Sequence, residues 1–363
     1  MEYSNLDNVR YHIDMLKNEI AVKETSIVLD PGFNVEEVKK ALILVQYEYP
    51  EIVYPMLPNE ILFFHEGSII LMYNTYDENL FNEKLNEITY EINSKFNYST
   101  TTYEKVKIIY DYITSNMTYD FEAFNEYKKI APSIEACLNA QNQPEIFRDY
   151  ADTIQPFDEK YASSCCIYGP VVNKKGTCAG LVQLFKYLLS TFGINNTCVF
   201  GDQYVSDDLK IRHVISAVEV DGEWAFVDIA NGMKNITKLD MTLYKYFMVS
   251  KEELNTQFVM DDEYNNIYTV NHLTFYKKNN LEFDNMNALI KYLDKFIVPG
   301  KEKKIYCKYI GTYLNDRKII KIVEDVVVRK IGRHHELSDA SESNEKFLTL
   351  KIQPRERKKH GRK

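Results

Sequence analysis

The dipeptide Asp221-Gly222 constrains this chain more than any other pair of residues. It lies between two strand-like runs, Arg212 to Val220 and Glu223 to Asp228. An Asp-Gly pair between apolar-rich runs is a strong signal for a two-residue hairpin, because both turn positions need φ > 0. A two-residue turn sets the register completely. Val220 then faces Glu223, Ile215 faces Asp228 and His213 faces Ala230. His213 and Asp228 fall on one face as diagonal neighbours, roughly 7–8 Å apart at the backbone, which side chains of this size can close. A slip of one residue would put them on opposite faces.

A second constraint lies upstream. Gly176-Thr177-Cys178-Ala179-Gly180 leads into Leu181, Val182, Leu184, Phe185, Leu188, Leu189 and Phe192, and Gly193 follows. Spacings of three and four predict a buried amphipathic helix with a glycine stop. Cys178 sits in its first turn, where the helix dipole favours thiolate. A thiol at a helix start, with a His–Asp pair on a hairpin, is the nucleophile, base and orienter set of acyl transfer. Other readings stand beside this one. Cys178 could be a small buried apolar residue, His213 a satisfied core histidine, and Asp228 the cap of the turn after it.

The chain has 363 residues, enough for a full core and two or three units. Its 45% hydrophobic and 27% charged content describes a globular protein, and a net charge of −9 argues against nucleic acid as a general partner. Asp7, Asp14 and Glu19 interrupt the first 26 residues, and about 18 consecutive apolar residues occur nowhere, so neither a signal peptide nor a membrane span is expected and the chain reads as cytoplasmic. Six cysteines form no CxxC pair and no Cys/His metal spacing. Cys165-Cys166 reads as two small residues before a strand or turn, and Cys198 as a buried strand residue. His65, His272 and His334-His335 lack matched ligands, so no metal is expected.

The flanks alternate element types, which predicts an α+β fold. Residues 1–100 form an N-terminal unit: strand 26–29, helix 35–47, a hairpin of 61–65 and 68–73 about Glu66-Gly67, and helix 78–96. Residues 101–255 form the core. Within it, 121–164 is an insertion broken by Pro132, Pro144 and Pro156 into short helices, serving as a passive surface element or a lid. Residues 256–353 form a C-terminal α+β unit with strands at 273–276, 304–310 and 347–352, helices at 284–296 and 316–331, and a polar loop at 336–345. Residues 354–363 are a basic tail.

Three blocks resemble the transglutaminase-like superfamily of papain-like cysteine enzymes. They are Tyr103 to Ile113 through Tyr119-Asp120; Tyr168-Gly169-Pro170 through Gly176-Thr177-Cys178-Ala179-Gly180 with Gly193-Ile194 behind; and His213 through Asp221-Gly222-Glu223-Trp224 to Asp228. Leu243 to Phe247 is similar to the segment that bacterial members carry next. The resemblance implies a nucleophile helix packed on an antiparallel sheet, with Cys178 as nucleophile, His213 as base, Asp228 as orienter and no cofactor. It implies attack on a peptide or protein carboxamide through a thioester, resolved by water as in a peptidase or by an amine as in a transglutaminase. The Cys178 amide is the natural first oxyanion donor, because it begins a helix. Tyr168 is a candidate second donor by that resemblance, or an aromatic anchor under the loop.

Departures also count. Val214, Ile215 and Ser216 stand where relatives carry a small residue, Trp and Asn, and Ile229-Ala230-Asn231 stand where a Thr and often a Trp follow the aspartate. They leave the triad intact and alter the wall beside it, which favours hydrolysis over crosslinking. Val214 and Ile215 imply a dry wall, with one of the two turned toward the site. An inactive binding module that keeps the fold is the alternative of a different class.

Overall fold

The computed structural model describes residues 4–24, 26–53, 63–65, 68–71, 73, 75–139, 155–206, 209–236, 240–254, 258–298, 302–311, 316–331, 335–339 and 347–354. Helices and mostly antiparallel sheets make it an α+β fold.

The N-terminal unit comprises α1 (Ser4–Ala21), β1 (Ser26–Val28), α2 (Val35–Glu48), α3 (Pro50–Val53), β2 (Phe63–His65) and β3 (Ser68–Ile70). Asn34 caps α2 by accepting the Glu36 N–H at 2.9 Å. Val9, Leu16 and Ile20 of α1 pack with Val38, Leu42 and Val45 of α2 against Ile27 and Ile69 of the sheet, whose order is β1-β3-β2. Hairpin residues 66–67 lie outside the described residues.

The central unit begins with α4 (Glu78–Asn93) and α5 (Thr102–Asn116). Thr101 and Glu104 form a reciprocal capping box at the start of α5. Phe81, Leu85, Ile88 and Ile92 of α4 pack into the same core as α5 rather than into the N-terminal cluster, although they precede residue 101. After β4 (Thr118–Tyr119), α6 (Phe121–Asn139) runs for 19 residues. Short helices were expected there, but Pro132 is accommodated inside one long helix. A proline costs a helix one hydrogen bond and a local clash without always ending it. Residues 140–154 are outside the described residues. Next, α7 (Gln155–Cys165) places Pro156 in its first turn, where the missing N–H is harmless. Cys165 ends this helix and Cys166 leads into a turn, within the expectation of a strand or turn after the pair.

β5 (Lys175–Gly176) pairs in parallel with β4 and delivers the chain to α8 (Cys178–Thr191). Gly193 follows at φ +69°, the left-handed stop that the sequence predicts. α8 packs on a four-stranded antiparallel sheet formed by β6 (Asn196–Ser206), β7 (Leu209–Val220), β8 (Glu223–Val227) and, after the short α9 (Lys251–Leu254), β9 (Phe258–Met260), in the order β8-β7-β6-β9. Cys198 is a buried strand residue, as expected. β9 extends this sheet although it follows residue 255.

The C-terminal unit contains α10 (Phe275–Lys278), β10 (Glu282–Phe283), α11 (Met286–Phe296), β11 (Lys303–Tyr309), α12 (Asp316–Ile331), β12 (His335–Asp339) and β13 (Phe347–Pro354). Its sheet order is β10-β11-β13-β12, and α11 and α12 cover it through Leu289, Leu293, Ile319 and Val323. Two expectations fail here. The strand at 273–276 is instead the turn into α10, which lets the adjacent rings of Phe275 and Tyr276 both enter the core, against Tyr244 and Phe347 respectively. The polar loop at 336–345 contains β12, whose pairing with β13 supplies backbone hydrogen bonds that outweigh a polar composition. Residues 340–346, and all of the basic tail except Pro354, lie outside the described residues. No helix among the described residues is long and apolar enough to cross a membrane.

Candidate active site

The hairpin forms in the expected register. Val220 pairs with Glu223 and Ser216 with Val227, and Asp221 and Gly222 take φ of 55° and 85°. Continuing that ladder sets Ile215 opposite Asp228. His213 and Asp228 therefore share a face, and His213 Nε2 lies 2.9 Å from Asp228 Oδ2. Both side chains are buried. Asp228 also accepts the backbone N–H of Asn231 at 3.0 Å through Oδ1, and the Asn231 side-chain amide at 2.7 Å through Oδ2. Orienting a histidine and capping the next turn are thus not alternatives; one carboxylate does both.

Nε2 faces Asp228, which leaves Nδ1 as the ring nitrogen available to a thiol, and the imidazole is within interaction distance of the Cys178 side chain. Burial opposes a charge on His213, but the Asp228 charge and hydrogen bond, with Cys178, outweigh it and raise the pKa to about 10. Burial alone would raise the Asp228 pKa; His213 and the Asn231 donors instead hold it below the ordinary carboxylate value.

Cys178 opens α8. Thr177 precedes it in extended conformation and makes no side-chain cap bond, so no cap consumes the first-turn N–H groups. Instead, Thr177 N–H and Oγ1–H both donate to the Ser164 carbonyl, at 2.7 and 3.2 Å. The Ile167 N–H donates to Gln183 Oε1 at 3.0 Å. The end of α7 and the residues after it therefore wrap the start of α8. A Cβ on Gly180 would lie 2.6 Å from the Cys166 carbonyl oxygen and 2.7 Å from that of Ser164, so only glycine permits this approach. Cys178 is half-buried, whereas Cys166, Cys198 and Cys307 are buried and burial pushes each thiol up to about 12.

Tyr168 stacks on Tyr76 with ring centroids 4.2 Å apart, and more loosely on Phe81. That is the aromatic-anchor arrangement. The tyrosine whose electrostatic surroundings include Cys178 and Asp228 is Tyr119. Tyr119, with Asp120, closes the first of the blocks that resemble the family, and its place just after an amphipathic helix is the signal the sequence carries for it.

Other residues also escaped the sequence reading. Phe258 of β9 meets the His213 imidazole edge-on at 6.0 Å. Gly201, which pairs with His213 on β6, leaves the room for it: a Cβ there would sit 2.6 Å from the Phe258 ring and 2.3 Å from the Val259 carbonyl oxygen. Asp120, buried, accepts from Ala123 N–H at 3.0 Å and Ser164 Oγ–H at 2.7 Å and pairs with Lys175 at 2.9 Å, tying α6, α7 and β5 together behind Cys178.

Val214 and Ile215 line no open wall. Val214 faces the α8 core and Ile215 the layer of Val249 and Phe258, both fully enclosed. Among the described residues, no group of three His, Cys, Asp or Glu side chains is placed to hold a metal ion.

No family model matches the chain, and no curated protein matches it. Solved structures do. One is a TGase, 16% identical at a TM-score of 0.27, covering 42% of this chain and 30% of its own. Another is a candidate cysteine protease from Cytophaga hutchinsonii, 12% identical at 0.26, covering 53% and 51%. A third is a candidate protease from Parabacteroides distasonis, 9% identical at 0.22, covering 81% and 61%. The chain spans less than two thirds of the length of each. These are neighbours of the kind the sequence resemblance implies; at such scores the functional reading rests on the geometry of Cys178, His213 and Asp228.

Proposed function

We propose that this protein is a cysteine-dependent acyl-transfer enzyme acting on peptide or protein carboxamides through a thioester. The observation that carries this reading is the buried His213 held by Asp228 at 2.9 Å while its ring also meets the thiol that opens α8. With its pKa raised, His213 holds the Cys178 proton on Nδ1 as an imidazolium beside the thiolate, and the thiolate attacks the carboxamide carbon. The imidazolium, stabilised by Asp228, returns the proton to the leaving amine. First-turn N–H groups of α8 face the developing oxyanion. Water then resolves the thioester, or an amine does; the enclosed Val214 and Ile215 supply no dry acceptor wall, and we assign hydrolysis as the main outcome.

The test is to incubate glutamine-bearing peptides with a labelled primary amine and to measure the adduct, the free acid and the intact mass of the protein. Free acid formation, with a transient acyl mass on Cys178, is expected. Dominant amine adducts would reassign the acceptor. No product and no acyl mass would sink the enzyme reading in favour of a binding module.

A further inference from the structure

Tyr119 has a placement that the triad does not explain. It lies in β4, where it pairs with Gly176, two residues before Cys178. Asn235 grips its backbone from the other side: the Tyr119 N–H donates to Asn235 Oδ1 at 3.0 Å, and the Tyr119 carbonyl accepts from Asn235 Nδ2 at 3.1 Å. Asp120, the next residue, donates its N–H to the Gly176 carbonyl. Phe121 and Phe124 pack against the ring at centroid distances of 5.1 and 5.9 Å. Strand, register and ring are therefore all held.

Tyr119 as a residue is 9% exposed. Among the described residues its hydroxyl makes no hydrogen bond, yet it is not one of the fully enclosed unpartnered polar atoms, as the Tyr103 hydroxyl is. Its surroundings include both Cys178 and Asp228. Burial, then the Cys178 and Asp228 charges, push its ionisation well above the ordinary tyrosine range, so it remains an O–H donor throughout the working pH range.

We infer that Tyr119 is a catalytic residue of this site, its hydroxyl donating the second hydrogen bond to the oxyanion formed when Cys178 attacks the acyl carbon. The inference rests on the acyl-transfer reading above. In the step, the C–S bond forms and the carbonyl π pair moves onto oxygen. The Tyr119 proton stays on its own oxygen, and His213 carries the proton taken from the thiol. The inference assigns this donor role to Tyr119 in place of Tyr168, whose ring stacks on Tyr76.

Acylation and alkylation separate this role from a structural one. Attack on an ester builds an oxyanion, whereas attack on iodoacetamide displaces iodide and builds none. Tyr119→Phe keeps the ring and removes only the hydroxyl. Burst acylation by a 4-nitrophenyl ester should slow by about 10²–10³-fold, the usual loss for one oxyanion donor. The rate of Cys178 alkylation should stay within about twofold of wild type, and Tyr168→Phe should acylate normally. Loss of both acylation and alkylation in Tyr119→Phe would make its role structural and overturn the inference. Unchanged acylation, or loss in Tyr168→Phe instead, would overturn it too. Wild-type protein that alkylates at Cys178 yet never acylates would bring down the acyl-transfer reading and this inference with it.

Discussion

Asp228→Asn is a demanding perturbation because the structure specifies where each proton must go. Oδ1 accepts a backbone N–H from Asn231, and Oδ2 accepts from His213 and from the Asn231 amide. An asparagine that keeps its oxygen on the Asn231 backbone turns its NH₂ toward His213 Nε2. The imidazole must then accept on Nε2 and carry its proton on Nδ1, the nitrogen that should take the Cys178 proton. The opposite flip serves His213 but sets two donors against each other at the Asn231 backbone. Either way the working tautomer is disfavoured, and acylation should fall between about 10²- and 10⁴-fold, or about 3–5 kcal/mol at 1.36 kcal/mol per decade. Stability should fall as well, because the pair is buried. His213 has a folded pKa raised to about 10, so its contribution is complete below its ordinary 6.5 and is lost as pH rises through about 10. Asp228 has a lowered folded pKa, so its contribution is present above its ordinary 3.8 and lost as pH falls. The stability gap between wild type and variant, from urea midpoints across pH, should be widest between those two ordinary values and should close toward pH 10. A gap that does not change with pH, or a variant with wild-type acylation, would refute the reasoning.

Limiting iodoacetamide at neutral pH, read by peptide mass spectrometry, should label Cys178 before Cys166, Cys198 or Cys307, whose thiols are buried and pushed up to about 12; first labelling at any of those three would remove the nucleophile assignment. His213→Ala and Cys178→Ala should each abolish acylation almost completely, and the double variant should be no worse than either, because the two act as one unit. Independent, additive losses would argue against a dyad. Gly180→Ala should lower stability by about 1–3 kcal/mol despite alanine's better helix propensity, since its methyl meets two backbone carbonyl oxygens. Urea denaturation showing a gain would mean that the α7–α8 contact yields easily.

The parts of this site that were legible in the sequence are those set by local rules. A two-residue Asp221-Gly222 turn has one register, so the pairing of Val220 with Glu223, and with it the shared face of His213 and Asp228, followed from alternation alone. The three- and four-residue spacing behind Cys178 defined α8 in the same way. Local rules do not carry across long sequence separations. Phe258 lies 45 residues from the His213 ring it packs against, and Gly201 matters only because β9 crosses there. The strand expected at 273–276 became a turn because two adjacent rings found separate partners in the core, and β12 formed from polar residues because β13 lay alongside. Tyr119 and Tyr168 make the same point most sharply. Both are tyrosines in blocks that resemble the family, and nothing local distinguishes their surroundings. Tyr76, far upstream, engages the Tyr168 ring in a stack, while pairing with β5 sets Tyr119 beside the start of α8. Turn chemistry and periodicity act between neighbours in the chain and can be read there; which tyrosine lies beside the start of α8 and which stacks on a distant ring is decided by packing between distant segments, and only the tertiary structure records it.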